Sequence, residues 1–322
     1  MRETEYAFAV AKVRANESSL LTAADLEGLI AAKDLDAALK LLTDLDYADF
    51  SLADIDEVLK QKEKSAFEFI CDIAPDKNLF DFLIVKNDFH NIKAVLKAIV
   101  SNVDYSPFVL EPCLVEPEII KTAVEEKNFS LLPDWAVEPV KQGFNLLTET
   151  MDGQRLDIYL DKQYLTVAFN MAKETKEEFS FALVNRQCAI ANMLVVSRAA
   201  EMGKEKVFIK DALVPCDLFD NDRLVSAALE GKKELAEYIK ESGFTDVSEN
   251  LLKGMVAFER SLDDLLIDFV TSARYQSFGV SPLIAYYLAK VSEIKTIRIL
   301  ISLKRCGMGE KEIRERVRKL YV

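Results

Sequence analysis

One ten-residue stretch, Asp88-Phe89-His90-Asn91-Ile92-Lys93-Ala94-Val95-Leu96-Lys97, returns later in the chain and narrows what the chain can fold into. Its core comes back as Asn192-Met193-Leu194-Val195-Val196-Ser197-Arg198 and, more loosely, as Thr296-Ile297-Arg298-Ile299-Leu300-Ile301-Ser302. The copies begin at residues 91, 192 and 296, spacings of 101 and 104. Recurrence at a fixed period marks repeated structural units. It predicts three related units: residues 1–115 with an extra N-terminal helix, 116–218, and 219–322 with a basic C-terminal helix. A second landmark travels with the first. Leu110-Glu111-Pro112-Cys113 follows copy one and Leu213-Val214-Pro215-Cys216 follows copy two. Proline turns its predecessor away from helix, so both read as breaks between units. Gly203 and Gly307 each fall eleven residues past the start of their copy, where a helix C-cap is expected.

The periodicity is helical throughout. Tyr6, Ala9, Val10 and Val13 share one face, and Thr22 is placed to cap a helix through Leu26, Leu29 and Ile30. After a turn at Lys33-Asp34, a second helix follows through Leu35, Ala38, Leu39 and Leu42. Glu116-Pro117 opens a similar pair that turns at Lys127-Asn128, and Asp220-Asn221 opens a third that turns at Gly231. In the repeated stretch, Ile92, Val95, Leu96 and Ile99 form an apolar stripe, with Asp88, Asn91 and Lys97 off it. The third copy sets Ile297, Leu300 and Ile301 against Glu293, Arg298 and Lys304. Only 10 Gly and 8 Pro are present, too few for a turn-rich sandwich or barrel. Val207-Phe208-Ile209 is too short to count as a strand. The fold class is all-α. Three such units either stack as a solenoid or close into a pseudo-threefold ring, and closure turns three polar helix faces inward to make a funnel.

Charge separates the possible partners. The net charge is −13, which argues against nucleic acid, whose phosphates need a basic surface. Residues 295–322 nevertheless hold nine Lys or Arg against three Glu. A basic end on an acidic body suits oriented contact with charged protein partners; the alternative is a solvated helix face. The five cysteines are scattered with no C-x-x-C pair and read as free thiols in a reducing compartment. Met1-Arg2-Glu3-Thr4-Glu5 carries charge where a signal peptide needs an apolar core. No apolar run is expected to reach the ~18 residues of a membrane helix. The expectation is a cytoplasmic protein with no direct membrane span, peripheral on a membrane through a partner.

The residues also carry a family. Tyr6-Ala7-Phe8-Ala9-Val10-Ala11-Lys12-Val13-Arg14-Ala15, followed by Leu20-Leu21 and Leu26-Glu27-Gly28-Leu29, resembles the N-terminus of the C subunits of the prokaryotic V/A-type ATPases, relatives of the d subunit of the eukaryotic V-ATPase. Asp88-Phe89-His90-Asn91 with Lys97 is similar to that family's central motif. So is the C-terminal run Phe278-Gly279, Pro282, Ala285-Tyr286, Glu293, Ile297-Arg298-Ile299 and Glu312-Ile313-Arg314-Glu315-Arg316, ending at Leu320-Tyr321-Val322. Copy two departs in having Ala189 where the others have an acid, and copy three has Thr296 and Ser302 for the expected Asn and Arg. The resemblance implies a helical funnel of three pseudo-threefold domains. It would be a non-catalytic central-stalk adaptor that receives the D and F subunits of the shaft and sits on the proteolipid rotor ring. It would pass torque between them for ATP-driven ion transport or ATP synthesis.

The enzymatic alternative is acidic. Asp263-Asp264-Leu265-Leu266-Ile267-Asp268 and Asp157-Ile158-Tyr159-Leu160-Asp161 place carboxylates three to five apart on helices, a spacing that can hold Mg²⁺ for a diphosphate substrate. The bland reading is the wet side of an amphipathic helix. Asp56 and Asp157 both lie 35 residues before their copies, with Asp263 at a comparable place, and an acid that recurs with each unit is scaffold. His90, the single histidine, has no accompanying nucleophile motif, and no nucleotide-binding glycine loop exists. No catalytic residue, cofactor or metal site is expected. Lys97, Arg198, Arg298 and Lys304 are the candidates for partner binding, with solvated charge as the alternative for each. A free-standing helical scaffold is the third reading.

Overall fold

The computed structural model describes residues 3–45, 47 and 54–322; Met1 and Arg2, the first residues of the charged start, lie outside them. Every regular element among these residues is helical, and no strand occurs. In chain order the α-helices are α1 (Ala7–Asn16), α2 (Ala23–Ala31), α3 (Leu35–Asp44), α4 (Ile55–Ile73), α5 (Asp81–Ser101), α6 (Pro117–Glu125), α7 (Asp134–Thr150) and α8 (Gly153–Glu174). They continue with α9 (Glu178–Glu201), α10 (Lys206–Ala212), α11 (Asn221–Glu230), α12 (Lys232–Glu241), α13 (Thr245–Lys253), α14 (Met255–Thr271), α15 (Ser281–Arg305) and α16 (Glu310–Arg316). Val207-Phe208-Ile209, the one strand-like run, is part of α10.

The helix ends follow from local chemistry. Thr22 and Asp25 form a reciprocal capping box on α2, Asp34 caps α3 through the Ala37 N–H, and Pro117 opens α6. The Asp220 carboxylate accepts from the N–H groups of Asp222 and Arg223 to start α11. The three copies of the repeated stretch lie on α5, α9 and α15, three of the four longest helices among the described residues. Each of these is followed, eleven residues past the start of its copy, by a left-handed residue: Asn102 (φ 52°), Gly203 (φ 66°) and Gly307 (φ 68°). The backbone then folds back identically: Val103, Lys204 and Met308 donate to the carbonyls of Ala98, Ala199 and Leu303. Asn in place of Gly at 102 is consistent with its tolerance of this conformation.

The chain forms two compact units. The continuous one is Asn78–Gly231. Here α5 packs on α6, α7 and α8, and α8 on α9, which carries α10 and α11. Phe89, Ile92, Val95 and Leu96 of α5 meet a core that includes Leu156 and Leu160 of α8 and Leu183, Cys188 and Met193 of α9, all buried. At Gly143 of α7 an added Cβ would come within 3.2 Å of both Leu156 and Leu96, so a side chain there would push the three helices apart. The α5–α8 pairing is antiparallel, with Lys93 on Asp161 (2.5 Å) and Lys97 on Asp157 (2.6 Å).

The second unit joins the two ends of the chain, Met1–Lys77 and Lys232–Val322. Its core sets Leu29 and Ile30 of α2, Ala38 and Leu42 of α3 and Leu59 of α4 against Ile294, Ile297, Leu300 and Ile301 of α15 and Ile313 of α16. Phe67 and Phe69 of α4 make edge-to-face contacts with Tyr287 and Tyr286 of α15, ring centroids 5.5 and 5.4 Å apart.

One expectation about membranes needs correcting. Among the described residues, α9 is long and apolar enough to cross a bilayer by length and composition. Half of that apolar window is buried inside the protein, where Leu183, Val184, Met193 and Val196 are core residues. The apolar character of α9 is spent on packing because other helices cover it in this unit.

Candidate functional site

Several polar positions of the repeated stretch are buried rather than solvated. Asp88 and Asn91 are fully buried, and so are Asn192, Glu293 and Thr296 in the other copies. A helix packed on several sides has little solvent to offer these groups, so most of them find backbone partners instead. Asn91 exchanges two hydrogen bonds with Leu110, its Nδ2 donating to the carbonyl (2.9 Å) and its Oδ1 accepting from the N–H (2.8 Å). Asn192 does the same with Val214, both at 3.0 Å. Asn87 donates to the Pro112 carbonyl, and Asn185 accepts from the Asp217 N–H. The two Pro-containing breaks are thus segments clamped onto the motif helices.

The acid three residues before each copy start completes the pattern in two copies. Asp88 Oδ1 accepts from the N–H groups of Leu114 (2.8 Å) and Val115 (2.7 Å), while its Oδ2 has no partner among the described residues. Burial pushes this carboxyl up to about 6, against the lowering effect of the two backbone N–H groups. Glu293 accepts from the Leu21 N–H (2.5 Å) and pairs with Lys290 (2.8 Å), itself buried and set over the Tyr47 ring. In copy two the position is Ala189, also buried. These buried groups escape sequence reading because their partners lie 19 to 272 residues away. The available signal was a polar residue at the same offset in two copies.

The four candidate partner residues separate. Lys97 Nζ is engaged by Asp157, with both side chains 41% exposed. Lys304 Nζ donates to the carbonyls of Ile30 (3.1 Å) and Ala32 (2.5 Å), closing the C-terminus of α2, and burial lowers its pKa. Arg198 and Arg298 are exposed on α9 and α15. Lys97 and Arg198 belong to one unit and Arg298 and Lys304 to the other.

The acidic runs face bases. Asp157 and Asp161 take Lys97 and Lys93. Asp263 takes Lys295 (2.7 Å) and Arg318 (2.6 Å), Asp268 takes Lys319, and Asp264 accepts from the Lys319 N–H. Arg314 lies on Glu27, whose carboxyl is lowered by that guanidinium. Much of the basic tail is therefore matched within its own unit. Among the described residues no group of three His, Cys, Asp or Glu is arranged to hold a metal ion. His90 Nε2 lies 2.9 Å from the Phe108 carbonyl.

Comparison with known proteins gives a consistent result. A family model described as ATP synthase (C/AC39) subunit matches residues 9–316. The chain is 22% identical to the C subunit of the V-type sodium ATPase of Enterococcus hirae, over 96% of this chain and 97% of that protein. It is 26% identical to the C subunit of the A-type ATP synthase of Desulfurococcus sp. (strain SY), over 97% and 90%. It is 23% identical to the corresponding A-type ATP synthase C subunit of Thermococcus kodakarensis, again over 97% and 90%.

Proposed function

The chain belongs to the ATP synthase (C/AC39) subunit family, a structural and non-catalytic component of V/A-type ATPase complexes, and from that membership we propose that it is the central-stalk adaptor of such a machine. In this reading it binds the D and F subunits of the shaft on one side and the proteolipid rotor ring on the other, and hands torque between them. It lies at the cytoplasmic surface of the membrane, held there by protein contacts. The observation that carries the reading is the family match across residues 9–316, supported by relatives aligned over nearly their whole length. The common ending of α5, α9 and α15 supports the three-unit organisation, with boundaries near 115 and 218, pseudo-threefold symmetry and a funnel as its proposed form. Arg198 and Arg298, with Lys97 and Lys304, are the proposed partner contacts.

Reconstitution tests it. A complex assembled without this chain is expected to keep ATP hydrolysis in its catalytic head and to lose ATP-driven ion transport, with recovery on adding the chain back. Ion transport of normal rate in its absence would remove the adaptor role. Reversing the charges of Arg198 and Arg298 is expected to weaken capture by D and F and to make it less salt-dependent. Unchanged capture would strike both from the interface.

A further inference from the structure

We propose that Asp88 is a proton-operated pin, holding segment 110–115 against α5 when protonated and loosening it when ionised. The geometry carries this. The carboxyl is fully buried, one oxygen takes both backbone N–H groups, and the other meets no donor among the described residues. A neutral carboxyl costs less in that arrangement, because its carbonyl oxygen still accepts from Leu114 and Val115 and only an O–H, not a charge, is left without a partner among the described residues. An ionised one leaves half its charge on a buried oxygen with no such partner, which is costly without a counter-ion.

Among the described residues, no cation is placed to relieve it. Along α5 itself, the one charged group that bears on Asp88 is Asp81, which is also acidic. Lys93 and Lys97 are taken by Asp161 and Asp157 of α8, and His90 is bound to the Phe108 carbonyl. On α6, Lys121 lies on Glu118 and Glu125 is exposed; on α7, Asp134, Glu138, Lys141 and Glu149 are exposed. Tyr164 of α8 is against Phe89 and carries no charge near neutrality, since burial raises its pKa.

The sign follows from linkage. A carboxyl held up to about 6 in the closed state, against its ordinary 3.8, favours closure most below that ordinary value and loses the effect as pH rises through about 6. The second copy supplies an internal control. Its segment 213–217 is held by Asn185 and Asn192 beside Ala189, with no acid at that position.

Hydrogen exchange on the full-length chain between pH 4 and pH 8, corrected for intrinsic rates, reads the pin directly. Opening at 110–115 is expected to rise by up to about a hundredfold across that range, the ratio implied by a shift of about two units, with no matching rise at 213–217. Asp88→Asn is expected to flatten the rise. Carbon-13 titration of the Asp88 carboxyl in the unsubstituted protein gives a reading that does not depend on the variant folding. An ordinary carboxyl titration, or equal pH dependence at both segments, or an unflattened profile in Asp88→Asn, would each overturn the proposal.

Discussion

Asp88 and Glu293 occupy the same place in their copies of the repeat, three residues before its start, and both hold a distant segment by its backbone N–H groups. Asp88 takes two such groups and Glu293 one, and their charged surroundings differ as well. Glu293 has Lys290 at 2.8 Å beside it, whereas Asp88 has no cation beside it among the described residues. Copy two shows the minimum: Ala189 in place of the acid, with the clamp made by asparagines alone. In copies one and two the clamp rests on asparagine amides, whereas in copy three Thr296 stands at that place without a partner among the described residues and Glu293 takes the Leu21 N–H. Lys290 gives the Glu293 carboxylate a direct ion-pair partner, whereas one oxygen of Asp88 has no partner among the described residues.

The comparison can be broken most severely at Lys290. Lys290→Met strands Glu293 as an unpaired buried charge, and unfolding in urea should show a loss of about 3–5 kcal/mol at pH 7. A loss under about 1 kcal/mol would mean that the ion pair does not matter to that unit. Next in size is the pH response at Asp88. Stability of the Asn78–Gly231 unit should fall by up to about 3 kcal/mol between pH 4 and pH 7, because a raised folded-state pKa contributes least once the group ionises. Asp88→Asn should abolish that slope. Asp88→Ala leaves two backbone N–H groups without an acceptor and should cost about 1–3 kcal/mol even at pH 4. Lys304→Met uncaps α2 and should cost about 1 kcal/mol, visible as faster exchange at the end of that helix. The smallest effect belongs to Lys97→Ala, whose half-exposed pair with Asp157 is worth about 0.2–1 kcal/mol; a larger effect on assembly with D and F than on stability would identify Lys97 as a partner contact.

Much of the fold is legible in the residues because it is local. Thr22, Pro117 and Asp220 announce helix starts through their own side chains or rings, and Gly203 and Gly307 announce ends through φ. The repeat itself is visible by eye. What local chemistry cannot convey is which neighbours remove a polar group from water. Asp88 and Asn91 read as a solvated face, and only the return of segment 110–115 makes them core. The apolar content of α9 exceeds the sequence expectation: it suffices by composition for a bilayer, and half of that window is buried in the protein. The limit of local chemistry also conceals the joining of the chain's two ends, where Leu21 meets Glu293 across 272 residues.

That joining sets a timetable for biosynthesis. Residues 1–77 leave the ribosome before Asn78–Gly231, whereas α15 and α16, which complete their core, leave after it. At about 5–20 residues per second, the early segment waits on the order of tens of seconds with Leu29, Ile30 and Leu42 uncovered, while Asn78–Gly231 matures intact between them. A translation product cut short before α15 would carry one finished block and one orphaned apolar segment. Such a fragment, with its apolar surface uncovered, is a ready client for chaperones and proteases.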